Sequence, residues 1–62
     1  MNKSEAREIA LIAKYHAAGL GVDYVARALS GLIRAARTQK SAAALREYAV
    51  SWGVTNHPEF IA

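Results

Sequence analysis

The chain has 62 residues, enough for a single domain spanning 1–62, and a domain this short buries only about 60% of the surface its unfolded form exposes. It is 53% hydrophobic, but 14 residues are alanine, so the core must come from nineteen larger apolar side chains. With no cysteine, disulfides and cysteine-based zinc sites are excluded, and a scaffold with so thin a core calls for another staple. Self-association or docking onto a protein partner is the staple that is left, so a homo-oligomer or a protein complex is expected.

The opening Met1-Asn2-Lys3-Ser4-Glu5 lacks the apolar block of a signal peptide, and the early apolar run Ile9 to Ala13 is far too short to span a membrane. The expectation is a cytoplasmic protein with no membrane association. Asn2 and Glu5 have the spacing of a capping box, in which each side chain bonds the other's backbone amide; Ser4 is an alternative cap. The first helix then runs to Gly19. Ile9, Ile12, Ala13 and His16 share one face, with Tyr15 on its flank and Lys3, Arg7 and Lys14 opposite.

Gly19-Leu20-Gly21 breaks the pattern, since paired glycines permit a sharp turn with positive φ. Asp23 reads as the N-cap of a second helix, with Val22 inside or just outside it. Val22, Val25, Leu29, Leu32, Ile33 and Ala36 recur every three or four residues, the strongest periodicity in the chain. No glycine or proline separates Leu32 from Trp52, but the apolar phase shifts. Continuing the first stripe would bury Gln39 and Arg46, whereas Leu45, Tyr48, Ala49 and Trp52 make a stripe of their own. This places a turn at Thr38 to Lys40, with Ser41 capping a third helix that ends at Gly53. In the tail, Asn56, Pro58 and Glu59 resemble another helix start, which predicts a turn of helix from His57 to about Ile61, with Phe60 and Ile61 packing on Trp52. The expected fold is therefore all-α: a compact three-helix domain with a short C-terminal helical turn. Its predicted core is Ile9, Ile12, Val25, Leu29, Leu32, Ile33, Leu45, Tyr48 and Trp52, with Phe60 as a lid.

Three features bear on function. No acid occurs between Asp23 and Glu47, yet that stretch carries Arg27, Arg34, Arg37, Lys40 and Arg46. Arg27, Arg34, Arg37 and Lys40 are the candidate anion-binding face, and a nucleic-acid backbone is the natural anion because Arg and Lys release its counterions. Cations late in a helix also complement its dipole without binding anything. Second, Leu11 falls beside Arg7, Lys14 and Ala18, and Val50 beside Arg46, off their apolar stripes; both are candidate protein-interface residues. Ala42-Ala43-Ala44 would let another helix approach closely. Third, the chemistry-bearing residues are sparse. His16 lies on an apolar face, His57 and Glu59 are too few to hold a metal, and the serines form no triad with a histidine and an acid. Three short alanine-rich helices enclose little pocket volume. No catalytic residue, metal, cofactor or small-molecule substrate is expected.

The segment Gly21-Val22-Asp23-Tyr24-Val25-Ala26-Arg27-Ala28-Leu29-Ser30-Gly31 resembles the turn and recognition helix of helix-turn-helix proteins, which implies that Tyr24 and Arg27 would face the major groove of duplex DNA. The spacing departs from that family. Aligned on Gly21, the following valine comes two residues early; aligned on Gly19, Tyr15 stands where the family takes a small residue. Asp23 would also bring the wrong charge to phosphate. As a whole, with its Ala- and Arg-rich stretches Glu5 to Ala18 and Val25 to Tyr48, the chain resembles the small helical proteins of bacterial prophages and other mobile elements. That resemblance implies a bacterial cytoplasm and action by binding DNA or a protein. The leading expectation is a non-enzymatic, self-associating interaction module; the alternative is a small DNA-binding protein.

Overall fold

The computed structural model describes residues 2–19 and 21–61, and its elements in order are α1 (Lys3–Ala17), α2 (Val22–Ala35), α3 (Gln39–Ser51) and α4 (Pro58–Ile61). Three main helices and a short C-terminal one give the all-α fold that the periodicity predicts. Helix α2 is the hub, packing against α1, α3 and α4.

The capping box forms as expected. Asn2 Oδ1 accepts the Glu5 amide at 2.8 Å, and Glu5 Oε1 accepts the Asn2 amide at 3.0 Å. Gly19 turns left-handed at φ 73°, its amide bonding the His16 carbonyl, and so closes α1. The start of α2 differs from the expectation that Asp23 caps it. Gly21 is the N-cap, with no side-chain bond, and Asp23 sits inside the first turn, where a carboxylate still complements the helix dipole.

The α2–α3 turn also lies earlier than Thr38 to Lys40. Ala36 is already extended (ψ 133°), Thr38 is the N-cap, and its hydroxyl accepts the Ser41 amide at 3.0 Å. Ser41, expected as the cap, is instead buried in the first turn and donates to Glu5 Oε1 at 3.4 Å, tying the start of α3 to the start of α1. Thr38 and Ser41 are both competent caps; burial of Ser41 against Glu5 selects Thr38.

Helix α3 ends in a Schellman motif. Gly53 takes φ 71°, its amide bonds the Val50 carbonyl, and the Val54 amide reaches back to Ala49. That geometry folds Val54 onto Ala49, and both are about 1% exposed. At α4 the cap is His57 rather than Asn56. The His57 carbonyl accepts the Phe60 and Ile61 amides, its Nδ1 accepts the Glu59 amide, and Pro58 occupies the first helical position.

The buried apolar core is Ile9, Ile12, Val25, Ala26, Leu29, Leu45, Ala49 and Val54, with Leu32, Ile33, Trp52 and Phe60 packed at its edge. Val54 was not expected there. Tyr48 was, but its ring is exposed and tilts against Trp52, which itself stacks on His16 at 4.9 Å between centroids. This aromatic stack links the ends of α1 and α3. Ile61 is 70% exposed, so only Phe60 of the predicted pair packs inward.

Candidate functional site

Helix α2 carries Arg27 and Arg34, the α2–α3 connection carries Arg37, and the first turn of α3 carries Lys40; all four side chains are exposed. They do not form one continuous face. Arg34 lines a cleft with Ser30, Ile33, Glu59, Phe60 and Arg46 of α3. Arg37 lines a neighbouring cleft with Ala36, Thr38, Gln39, Ala42, Ala43 and, again, Arg46. Arg46 thus joins Arg34 to Arg37 across the α2–α3 joint. Arg46 is not part of the face predicted from sequence; the docking of α3 on α2 brings it between the other two. Lys40 lines neither cleft.

Arg27 has different surroundings. It shares a cleft with Asp23, His57, Pro58 and Glu59, and Glu59 also lines the Arg34 cleft. An acid therefore stands between Arg27 and the other arginines. His57 Nε2 lies 2.7 Å from Asp23 Oδ1 while its Nδ1 accepts the Glu59 amide, so Nε2 carries the proton and donates to Asp23. The hydrogen bond from His57, followed by the charge the ring carries once protonated and, more weakly, that of Arg27, holds the Asp23 carboxyl below its ordinary range. This pair pins α4 to the start of α2.

Among the described residues, His57–Asp23 is the one close pairing of a basic side chain with a carboxylate, and no lysine or arginine has a carboxylate within 4 Å. The Arg34, Arg37 and Arg46 guanidiniums are unneutralised. The cleft that Arg37 shares with Arg46 also opens on the first turn of α3, where Thr38 takes the Ser41 amide and the positive end of the helix dipole adds to the field. Ala42 and Ala43 add short side chains to its lining.

The interface candidates are exposed but apart. Leu11, on α1, is 44% exposed and Val50, on α3, is 69% exposed. Val22, Tyr24 and Ile61 are further exposed apolar side chains. Tyr24 packs edge-on against Tyr15, 5.2 Å between centroids, and remains 49% exposed, while Arg27 is exposed beside Asp23 and Glu59. Among the described residues, no three His, Cys, Asp or Glu side chains come together to hold a metal, and no helix is long and apolar enough to cross a membrane. In comparisons with known proteins, the chain matches no family model, no curated protein and no solved structure.

Proposed function

We propose that the chain is a small non-enzymatic binding module whose recognition surface is the Arg34–Arg46–Arg37 edge and whose partner is the phosphate backbone of a nucleic acid. The observation that carries this reading is the convergence of three arginines without a carboxylate within 4 Å, from two helices and their connection, on two clefts that share Arg46, one at the start of α3 and the other lined also by Glu59. Guanidinium groups suit phosphate because their planar fork of donors matches its oxygens, and each contact releases counterions. Nothing in the edge reads bases, so binding is expected to be largely independent of sequence. The test is a titration of fluorescent duplex DNA at two salt concentrations. Micromolar or tighter binding that weakens steeply with salt supports the reading; no binding at low salt removes it.

Self-association through Leu11 and Val50, the leading expectation from sequence, is the second reading. It is favoured by six large apolar side chains left exposed around a core of eight residues, two of them alanine. It ranks behind the first because Leu11 and Val50 lie on different helices, α1 and α3, with no observed feature among the described residues joining them, whereas Arg46 joins Arg34 to Arg37. Sedimentation equilibrium decides it: a monomer at tens of micromolar, with a melt independent of concentration, rules it out. Both readings go with a cytoplasmic protein of the mobile-element type.

A further inference from the structure

Among the described residues, Glu5 carries the one buried side-chain polar atom without a hydrogen-bond partner. Its residue is only 8% exposed, its Oε1 takes the Asn2 amide and the Ser41 hydroxyl, and its Oε2 is buried with no hydrogen-bond partner. A buried carboxylate oxygen left unpaired is strongly disfavoured, and native structures rarely keep one without a reason. Glu5 borders a cleft of about 170 Å³ that it shares with Asn2, Ser4, Leu32, Ala35 and Arg37. Arg37 is the one cation on that lining among the described residues. It follows the extended Ala36 in the short α2–α3 connection, is exposed, and has no carboxylate within 4 Å. The same Arg37 lines the cleft shared with Arg46 at the start of α3.

We infer that Arg37 has two positions, one on Glu5 Oε2 inside the 170 Å³ cleft and one on the anion edge beside Arg46, so that Glu5 holds Arg37 back from a phosphate until the anion competes for it. Several features suit the inward position. An arginine brings five donors on a long stem, so it can reach a recessed carboxylate while its head stays partly solvated. The end of α2, with Leu32 and Ala35 on the cleft wall, contributes last-turn carbonyls and the negative end of the helix dipole. Inward, Arg37 satisfies Oε2 and leaves the edge with Arg34 and Arg46. Outward, it adds the third guanidinium and leaves Oε2 unpaired. A phosphate that recruits Arg37 must overcome the Glu5 pairing, and through the Glu5–Ser41 bond that exchange reaches the first turn of α3. The competition half of this inference rests on the function proposed above; the pairing half does not.

The test is a double-mutant cycle on the full chain with Glu5→Gln and Arg37→Gln, read first by urea unfolding. Glutamine at position 5 keeps the capping-box geometry, so the cycle isolates the charge. Arg37→Gln is expected to lower the folded-to-unfolded ratio about tenfold in the parent and by no more than about twofold in the Glu5→Gln background, as for a hydrogen bond to a charged group. Equal effects in both backgrounds overturn the pairing and leave water as the occupant of the cleft. If Glu5→Gln fails to fold, the Arg37 Nε–H resonance of the parent protein decides instead: slow exchange with solvent supports the inward position, and exchange as fast as that of Arg34 overturns it. The second arm is titration with labelled duplex DNA. Glu5→Gln is expected to bind about fivefold tighter than the parent, because more of its Arg37 is free to engage, and to show no gain once Arg37→Gln is also present. Coupling in stability without that gain, in a protein that binds DNA, overturns the competition. Failure of the parent to bind DNA removes the proposed function and the competition with it, while the unfolding cycle still decides the pairing.

Discussion

Arg46→Gln is the substitution that separates a working anion edge from a merely solvated one. Arg46 lines both the Arg34 cleft and the Arg37 cleft, so a phosphate backbone lying along the edge cannot contact the other two without passing it. Each phosphate neutralised on duplex DNA contributes a slope of about −0.9 in log affinity against log salt, so three arginines give about −2.7. Raising salt from about 50 to about 200 mM then weakens binding about fortyfold. Without Arg46 the slope becomes about −1.8, and the same change in salt costs about twelvefold. The side chain is exposed and pairs with no carboxylate, so the substitution should move fold stability by less than about 0.5 kcal/mol. The assay is fluorescence anisotropy across a salt series, with Lys14→Gln on α1 as a control that belongs to neither cleft. An unchanged slope in Arg46→Gln, or equal flattening in Lys14→Gln, would show that binding follows net charge and not this edge.

Other substitutions test the fold beneath the site. Leu45 is wholly buried, so Leu45→Ala should destabilise by about 3 kcal/mol, a large part of the roughly 3–9 kcal/mol expected for a chain this short; a urea midpoint shift of only a few tenths molar would contradict the core assignment. Gly53→Ala should cost about 1 kcal/mol although a Cβ there would meet nothing within 4 Å, because φ 71° is left-handed; a neutral result would refute the Schellman geometry. Asp23 titrates lower in the folded chain than unfolded, so its pairing with His57 stabilises the fold above the ordinary aspartate value of about 3.9, and that stability is lost as pH falls through the lower folded value. Acid unfolding of the parent protein should therefore contain, below about pH 4, a component that Asp23→Asn lacks; identical acid limbs in circular dichroism would count against the pair.

Local signals made most of the fold legible. The Asn2–Glu5 box, the α2 stripe, the glycines at 19 and 53, and Pro58 each act over one or two turns, and each is used as its spacing suggests. Errors arise where two residues compete for one local role and a distant contact decides between them. Thr38 and Ser41 can both cap α3, and a bond from Ser41 to a residue 36 positions away settles the choice. Asp23 could cap α2, but the tail brings His57 to its side chain. Val54 did carry a signal, since an apolar residue directly after a left-handed glycine commonly packs back on the helix it terminates. Tyr48 kept the right phase but yielded the interior to Trp52, which covers more area and finds a partner in His16.

The site was less legible for a related reason. A charge pattern along the chain identifies which residues are basic, but a binding edge depends on which of them meet across helices. Arg27 and Arg34 are two turns apart on one helix, yet the tail sets Glu59 between their clefts, while Arg46, on another helix, becomes the link between Arg34 and Arg37. Glu5 makes the point most sharply. In sequence it is fully accounted for as the third residue of a capping box, and one carboxylate oxygen does serve that role. The other is buried, the one cation on the cleft that Glu5 borders, among the described residues, is Arg37 of the α2–α3 connection, and no periodicity or spacing joins position 5 to position 37. A residue with a complete local explanation can still hold a tertiary obligation, and an unsatisfied atom is how that obligation is recognised.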